Sequence, residues 1–199
     1  MVPIVRLRDC DPAIVNAVRD LYEASFPASE RSDFSGIHQE DAADERDVLV
    51  LLEQGQVRGL CVTSRLSWPA LFIEYFAVAP DHRGTGVGSR FLRECLLALI
   101  TPAEHGAVLE IERVEASPGD PYRPVRRRFW EKSGARAVVE RFVVPRLDGA
   151  GGMMDMTLMW IAADGHPLPD PRALARQVLE EGYGLEPTQA AALLQESLR

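Results

Sequence analysis

Val78-Ala79-Pro80-Asp81-His82-Arg83-Gly84-Thr85-Gly86-Val87-Gly88-Ser89 closes a strand-like run, Leu71–Val78, and opens a helix with an apolar face. The glycines at alternate positions, Gly84, Gly86 and Gly88, let the backbone turn tightly and approach a ligand with no Cβ in the way. A helix start also presents unpaired N–H groups and the positive end of the helix dipole, a setting that favours an anion. Arg83 adds a cation, and a diphosphate meets all of these requirements. Two other phosphate motifs do not match. A P-loop needs Lys-Ser/Thr after its last glycine, and none is present here. A dinucleotide fingerprint needs G-x-G-x-x-G near the chain start with an acidic residue about 20 positions on. Here the spacing is G-x-G-x-G and it lies in mid-chain.

Working towards the N-terminus, Val57–Leu66 and Val48–Leu52 are strand-like and joined by Glu53-Gln54-Gly55-Gln56, a hairpin turn; Ser67-Trp68-Pro69 is a second turn. Residues 29–47 are polar and acid-rich, with room for a short helix. Asp11-Pro12 starts a helix, Asp as cap and Pro in the first helical position, that runs to about Phe26-Pro27. Val2–Leu7 alternates and predicts a first strand.

Towards the C-terminus, Ser89–Ile100 places Phe91, Leu92, Cys95, Leu96, Leu99 and Ile100 on one helical face. Ala107–Ile111 is a strand, Ser117–Pro124 a loop, Arg126–Lys132 a helix, and Ala137–Val144 and Met154–Ile161 two strands linked by Gly149–Gly152. From residue 165 the character changes. A linker, His166–Pro171, leads to two short helices at about 171–182 and 188–198, whose leucines pack on their own domain or on a second subunit. The order predicts an α/β fold: a mixed central sheet of about seven strands flanked by helices, plus a C-terminal helical tail.

A chain of 199 residues has enough apolar material, 46%, to build a core without disulfides or metals. The net charge of −8 speaks against nucleic acid as the main partner and favours a cationic substrate such as an amine. No apolar run is long enough to span a membrane. The 3 cysteines, Cys10, Cys61 and Cys95, form no CxxC pair, and the 4 histidines have no metal-ligand spacing, so no metal is expected. Free thiols and the absence of a signal-like N-terminus make the cytoplasm the expected compartment.

The glycine loop resembles the pyrophosphate-binding motif, R/Q-x-x-G-x-G/A, of the GNAT superfamily of N-acetyltransferases. Arg83, Gly86 and Gly88 fill its fixed positions. The flanks are similar too: Phe76-Ala77-Val78-Ala79-Pro80 before the loop, and an amphipathic helix after it. The order of elements over residues 2–161 matches the family's layout. The resemblance implies an acetyltransferase domain over 1–164 with a helical extension over 165–199, and acetyl-CoA as cosubstrate. It implies that Arg83, Gly84, Thr85, Gly86, Val87, Gly88 and Ser89 hold the diphosphate. Backbone groups of Phe76, Ala77 and Val78 would hold the pantetheine arm and polarise the thioester. The acceptor would be a primary amine, of a small molecule or a protein, attacking directly.

That amine must be neutral to attack, so a base is required. Three carboxylates qualify: Glu110, which best matches the place of the family's base on the strand after the motif helix, its neighbour on the same face Glu112, and Glu74, which shares a strand face with Phe76 and Val78. The family often has a Tyr near the start of the next helix as the acid that protonates the leaving thiolate. Trp130 stands there instead, and an indole N–H supplies no proton. A thiolate with a pKa of about 8.5 leaves with little help. Trp130 then packs on the cofactor or the core, and Tyr122 is a substitute near in sequence. A non-catalytic acyl-CoA-binding module is the alternative that the Trp130 departure supports. Arg123, Arg126, Arg127 and Arg128 meet a CoA phosphate or pair with nearby Glu, and the acidic residues 40–47 either attract a cation or form a solvated face.

Overall fold

The first strand is shorter than its alternation suggests. In the computed structural model, which describes residues 3–67, 69–116 and 120–197, β1 is Ile4–Arg6. Leu7 leaves the strand for a 3-10 turn, Leu7–Asp9, and is fully buried there. Val2, Trp68, residues 117–119 and Leu198, for which the sequence pattern predicts strand, turn, loop and helix, lie outside the described residues. The first helix, α1 (Pro12–Ser25), starts where Asp-Pro predicts. The Asp11 carboxylate accepts from the amides of Ala13 and Ile14 at 2.9 and 3.0 Å. The acid-rich segment holds α2 (Phe34–Ala42).

Next come β2 (Asp47–Glu53) and β3 (Gln56–Leu66), antiparallel, joined by a turn with both central residues left-handed: Gln54 at φ 52° and Gly55 at φ 73°. Left-handed central residues match the twist of the flanking strands. After β4 (Ala70–Val78), α3 (Val87–Leu99) begins inside the glycine loop, two residues before its expected start. Beyond it lie β5 (Gly106–Glu112), α4 (Tyr122–Lys132), β6 (Arg136–Pro145) and β7 (Met153–Ala162). The loop expected up to Pro124 is already helical from Tyr122. Proline is tolerated in a first helical turn, where its missing N–H has no partner to lose. The tail forms α5 (Pro171–Gln177), a π-helical turn over Val178–Gly182, and α6 (Pro187–Ser197).

The seven strands form one mixed sheet in the order β1-β2-β3-β4-β5-β7-β6, with helices flanking it. β5 and β6 each pair antiparallel with β7.

The chain divides into two compact units. The first comprises Met1–Ser64, Ile73–Thr101 and Leu147–Ala150. Its core gathers Leu7, Val18, Tyr22, Ile37, Val50 and Leu60. The second comprises Arg65–Phe72, Pro102–Arg146 and Gly151–Arg199. Its core holds Trp160, Phe142 and Leu158 together with Leu174, Val178, Leu179 and Leu194 of the tail. The apolar side of the tail is therefore covered by its own chain.

Candidate active site

The glycine loop belongs to the first unit, and its backbone explains its composition. Pro80–His82 make a 3-10 turn, Arg83 is extended, and Gly84 and Gly86 are left-handed at φ 76° and 81°. A Cβ at either glycine would meet no atom within 4 Å, so the turn opens onto free space. Residues 83–86 are exposed, Val87 is buried and anchors the helix, Gly88 is half-buried and Ser89 is exposed. No side chain caps α3, whereas Asp11 caps α1 and Asp170 caps α5. A 13-residue helix thus presents an uncapped start to solvent beneath two glycines, a site suited to an anion. Arg83 is tied back to the strand, its Nε donating to the Val78 carbonyl at 3.0 Å, and the Thr85 hydroxyl donates to the His82 carbonyl at 2.7 Å. These bonds brace the turn from within. Of the preceding residues, Ala77 is buried, Val78 is half-buried, and the half-buried Phe76 stacks on Phe91 of α3 at 5.4 Å.

The three candidate bases sit in different surroundings. The side chain of Glu74, in the first unit, is 7% exposed and accepts from Arg46 Nε at 2.9 Å; Arg46 also pairs with Glu40. Burial pushes the Glu74 carboxyl up, against the pull of Arg46 and of the Ser64 hydroxyl. Glu110 and Glu112, in the second unit, are half-buried and share a face of β5, with Leu109 and Ile111 buried on the other side. Glu112 is ion-paired to Arg126. Glu110 accepts a hydrogen bond at 2.7 Å from the hydroxyl of Tyr183, the residue just past the π turn of the tail.

Trp130 is buried on α4, edge-on to Phe129 at 5.2 Å. Tyr122, the substitute near it in sequence, is 65% exposed at the first turn of α4. Three arginines of α4 are engaged with carboxylates: Arg123 with Asp120, Arg126 with Glu112, and Arg127 with Glu131 and Glu140. In the acidic run, Asp44 pairs with Arg8, Asp47 with Arg6, and Glu40 with Arg46. Asp41 is fully buried and accepts from the Val48 amide at 2.9 Å. Among the described residues, no group of three His, Cys, Asp or Glu side chains is arranged to hold a metal ion, and no helix is long and apolar enough to cross a membrane. All three cysteines are free.

Tyr183 is the site residue that the sequence does not reveal. It lies 73 positions from Glu110, and a tyrosine in a short tail carries no signal of such a contact.

A family model for the acetyltransferase (GNAT) family matches residues 15–135. A solved GNAT-family protein from Bacteroides thetaiotaomicron, described as an acetyltransferase, superposes with a TM-score of 0.75 at 17% identity, covering 93% of this chain and 100% of its own. An aminoglycoside 6'-N-acetyltransferase complexed with coenzyme A gives 0.63 at 15% identity, over 83% and 99%. The ribosomal-protein-S18-alanine N-acetyltransferase of Escherichia coli gives 0.58 at 17%, over 85% and 99%. No curated protein matches the sequence.

Proposed function

The chain belongs to the acetyltransferase (GNAT) family, and from that premise we propose that it transfers the acetyl group of acetyl-CoA to a primary amine by direct attack. The open, left-handed turn at Gly84 and Gly86 leading into the uncapped start of α3 carries this reading. Amides of residues 84–89 hold the diphosphate, with Arg83 shaping the turn from below. The backbone of Phe76–Val78 holds the pantetheine arm.

The incoming ammonium gives its proton to Glu110, and the neutral amine adds to the thioester carbonyl. The C–N bond forms, the C–S bond of the tetrahedral intermediate breaks, and the coenzyme A thiolate leaves. The proton lost by the amine nitrogen passes to solvent. With Trp130 in place of a tyrosine, the thiolate departs without a phenolic acid, which its pKa of about 8.5 allows. Glu110 is favoured as base over Glu74 and Glu112 because its place on β5, the strand after the motif helix, best matches that of the base in relatives of this family. Three free thiols fit a reducing, cytoplasmic setting.

The structural neighbours act on unlike amines, one on an aminoglycoside and one on a ribosomal-protein alanine. The assay therefore spans both classes. Purified protein is mixed with acetyl-CoA and an aminoglycoside, a peptide with an amino-terminal alanine, or a polyamine, and thiol release is monitored with a disulfide dye. Saturable release that depends on one of these amines is the expected result. Acetyl-CoA bound tightly with no release for any amine points instead to a binding module, and no acetyl-CoA binding at all overturns both readings.

A further inference from the structure

We propose that Tyr183 is a positioning residue for Glu110, so that the C-terminal tail, beyond covering the core, takes part in acetyl transfer. This inference rests on the reading of Glu110 as the base. The Tyr183 hydroxyl donates to one carboxylate oxygen of Glu110 at 2.7 Å. A carboxylate that accepts a proton needs one oxygen aimed at the proton. A hydrogen bond to the other oxygen removes the torsional freedom of a long side chain on a half-buried strand face.

The tail is built to deliver that hydroxyl. Val178 and Leu179 are fully buried in the second unit's core and hold the last turn of the helix in place. There the ladder widens to a π turn, with the Tyr183 amide donating to the Val178 carbonyl at 3.1 Å. Widening by one residue rotates the next side chains relative to a continued α-helix, and such turns are often found at functional sites. Gly182 lies against Phe72, where a Cβ would come within 2.7 Å of the ring. The turn is pinned from its other side as well. The Glu181 carboxylate accepts from the Ser67 amide at 2.6 Å, and Gln177 Nε2 donates to the Ser67 hydroxyl at 2.9 Å. Contacts at Gln177, Glu181 and Gly182 thus hold the turn that precedes Tyr183, and the ring itself packs on the core cluster.

The test is a double-mutant cycle with Tyr183→Phe and Glu110→Gln, using acetyl-CoA and whichever probe amine the wild type acetylates. Tyr183→Phe keeps the ring and its packing. It is expected to lower Tm by no more than a few degrees and to keep the wild-type KM for acetyl-CoA while lowering kcat about tenfold. In the Glu110→Gln background the same substitution should lower kcat no further, because the tyrosine acts through the carboxylate. A kcat within about twofold of wild type, or an equal loss in both backgrounds, overturns the proposal. A wild type that binds acetyl-CoA but acetylates no amine removes the activity itself, and this inference with it. A second measurement needs neither turnover nor a Tyr183 variant. With tyrosine labelled with 13C at Cζ, one of the 4 tyrosine signals should move on Glu110→Gln, and four unchanged signals overturn the contact.

Discussion

At the scale of single residues, Gly86 and the glutamates separate ligand binding, catalysis and stability. Gly86 adopts φ 81° at the start of α3 with open space around it. Any other residue there costs about 1–2 kcal/mol in backbone strain alone. Gly86→Ala should therefore lower Tm by a few degrees, while Gly86→Glu should in addition weaken acetyl-CoA binding by more than about 100-fold, because its charge meets the diphosphate at the helix start. Calorimetric titration with acetyl-CoA separates the two. An unchanged affinity in Gly86→Glu places the diphosphate elsewhere. Among the carboxylates, Glu74→Gln leaves Arg46 with Glu40 for a partner, and breaking a buried pair is expected to cost about 3 kcal/mol. Its signature is a lower Tm. Glu110→Gln should instead hold its Tm and lose about 100-fold or more in kcat. The reverse pattern in thermal denaturation and thiol-release assays makes Glu74 the base.

At the scale of elements, local chemistry was largely legible. Asp-Pro at residues 11–12 announced α1 because a cap and a pre-set φ act through neighbouring atoms only. Asp11→Ala, which leaves the amides of Ala13 and Ile14 without an acceptor, is accordingly expected to cost about 1 kcal/mol and lower Tm by roughly 2–4 °C in thermal denaturation. The Gln54-Gly55 hairpin was legible for the same reason. Less legible were the ends. The alternation of Val2–Leu7 assigns Leu7 to a strand, yet the core draws it into a 3-10 turn. Pro124 reads as loop, yet proline is compatible with the first turn of α4. The π turn at Val178–Gly182 has no sequence signal, since its widened ladder answers to what the buried leucines and Phe72 allow.

At the scale of the molecule, the tail behaves as part of a core. Leu179 is fully buried beside Trp160 and Phe142 in the second unit's cluster. Leu179→Ala should cost about 3 kcal/mol and lower Tm by roughly 10 °C, and removal of residues 166–199 should leave the protein insoluble on expression. A soluble truncated chain with a wild-type Tm would show the tail to be an appendage.

By itself the sequence determined the order of elements, the capped start of α1 and the anion-suited loop, because periodicity, capping and glycine conformation are governed by residues a few positions apart. Only the tertiary structure decided the ion pairs of Glu40, Asp44 and Asp47, those of Arg123, Arg126 and Arg127 of α4, and the reach of Tyr183 to Glu110 across 73 positions. Those outcomes depend on contacts between distant segments. Such contacts are set by how buried side chains pack, and no pattern along the chain encodes them locally.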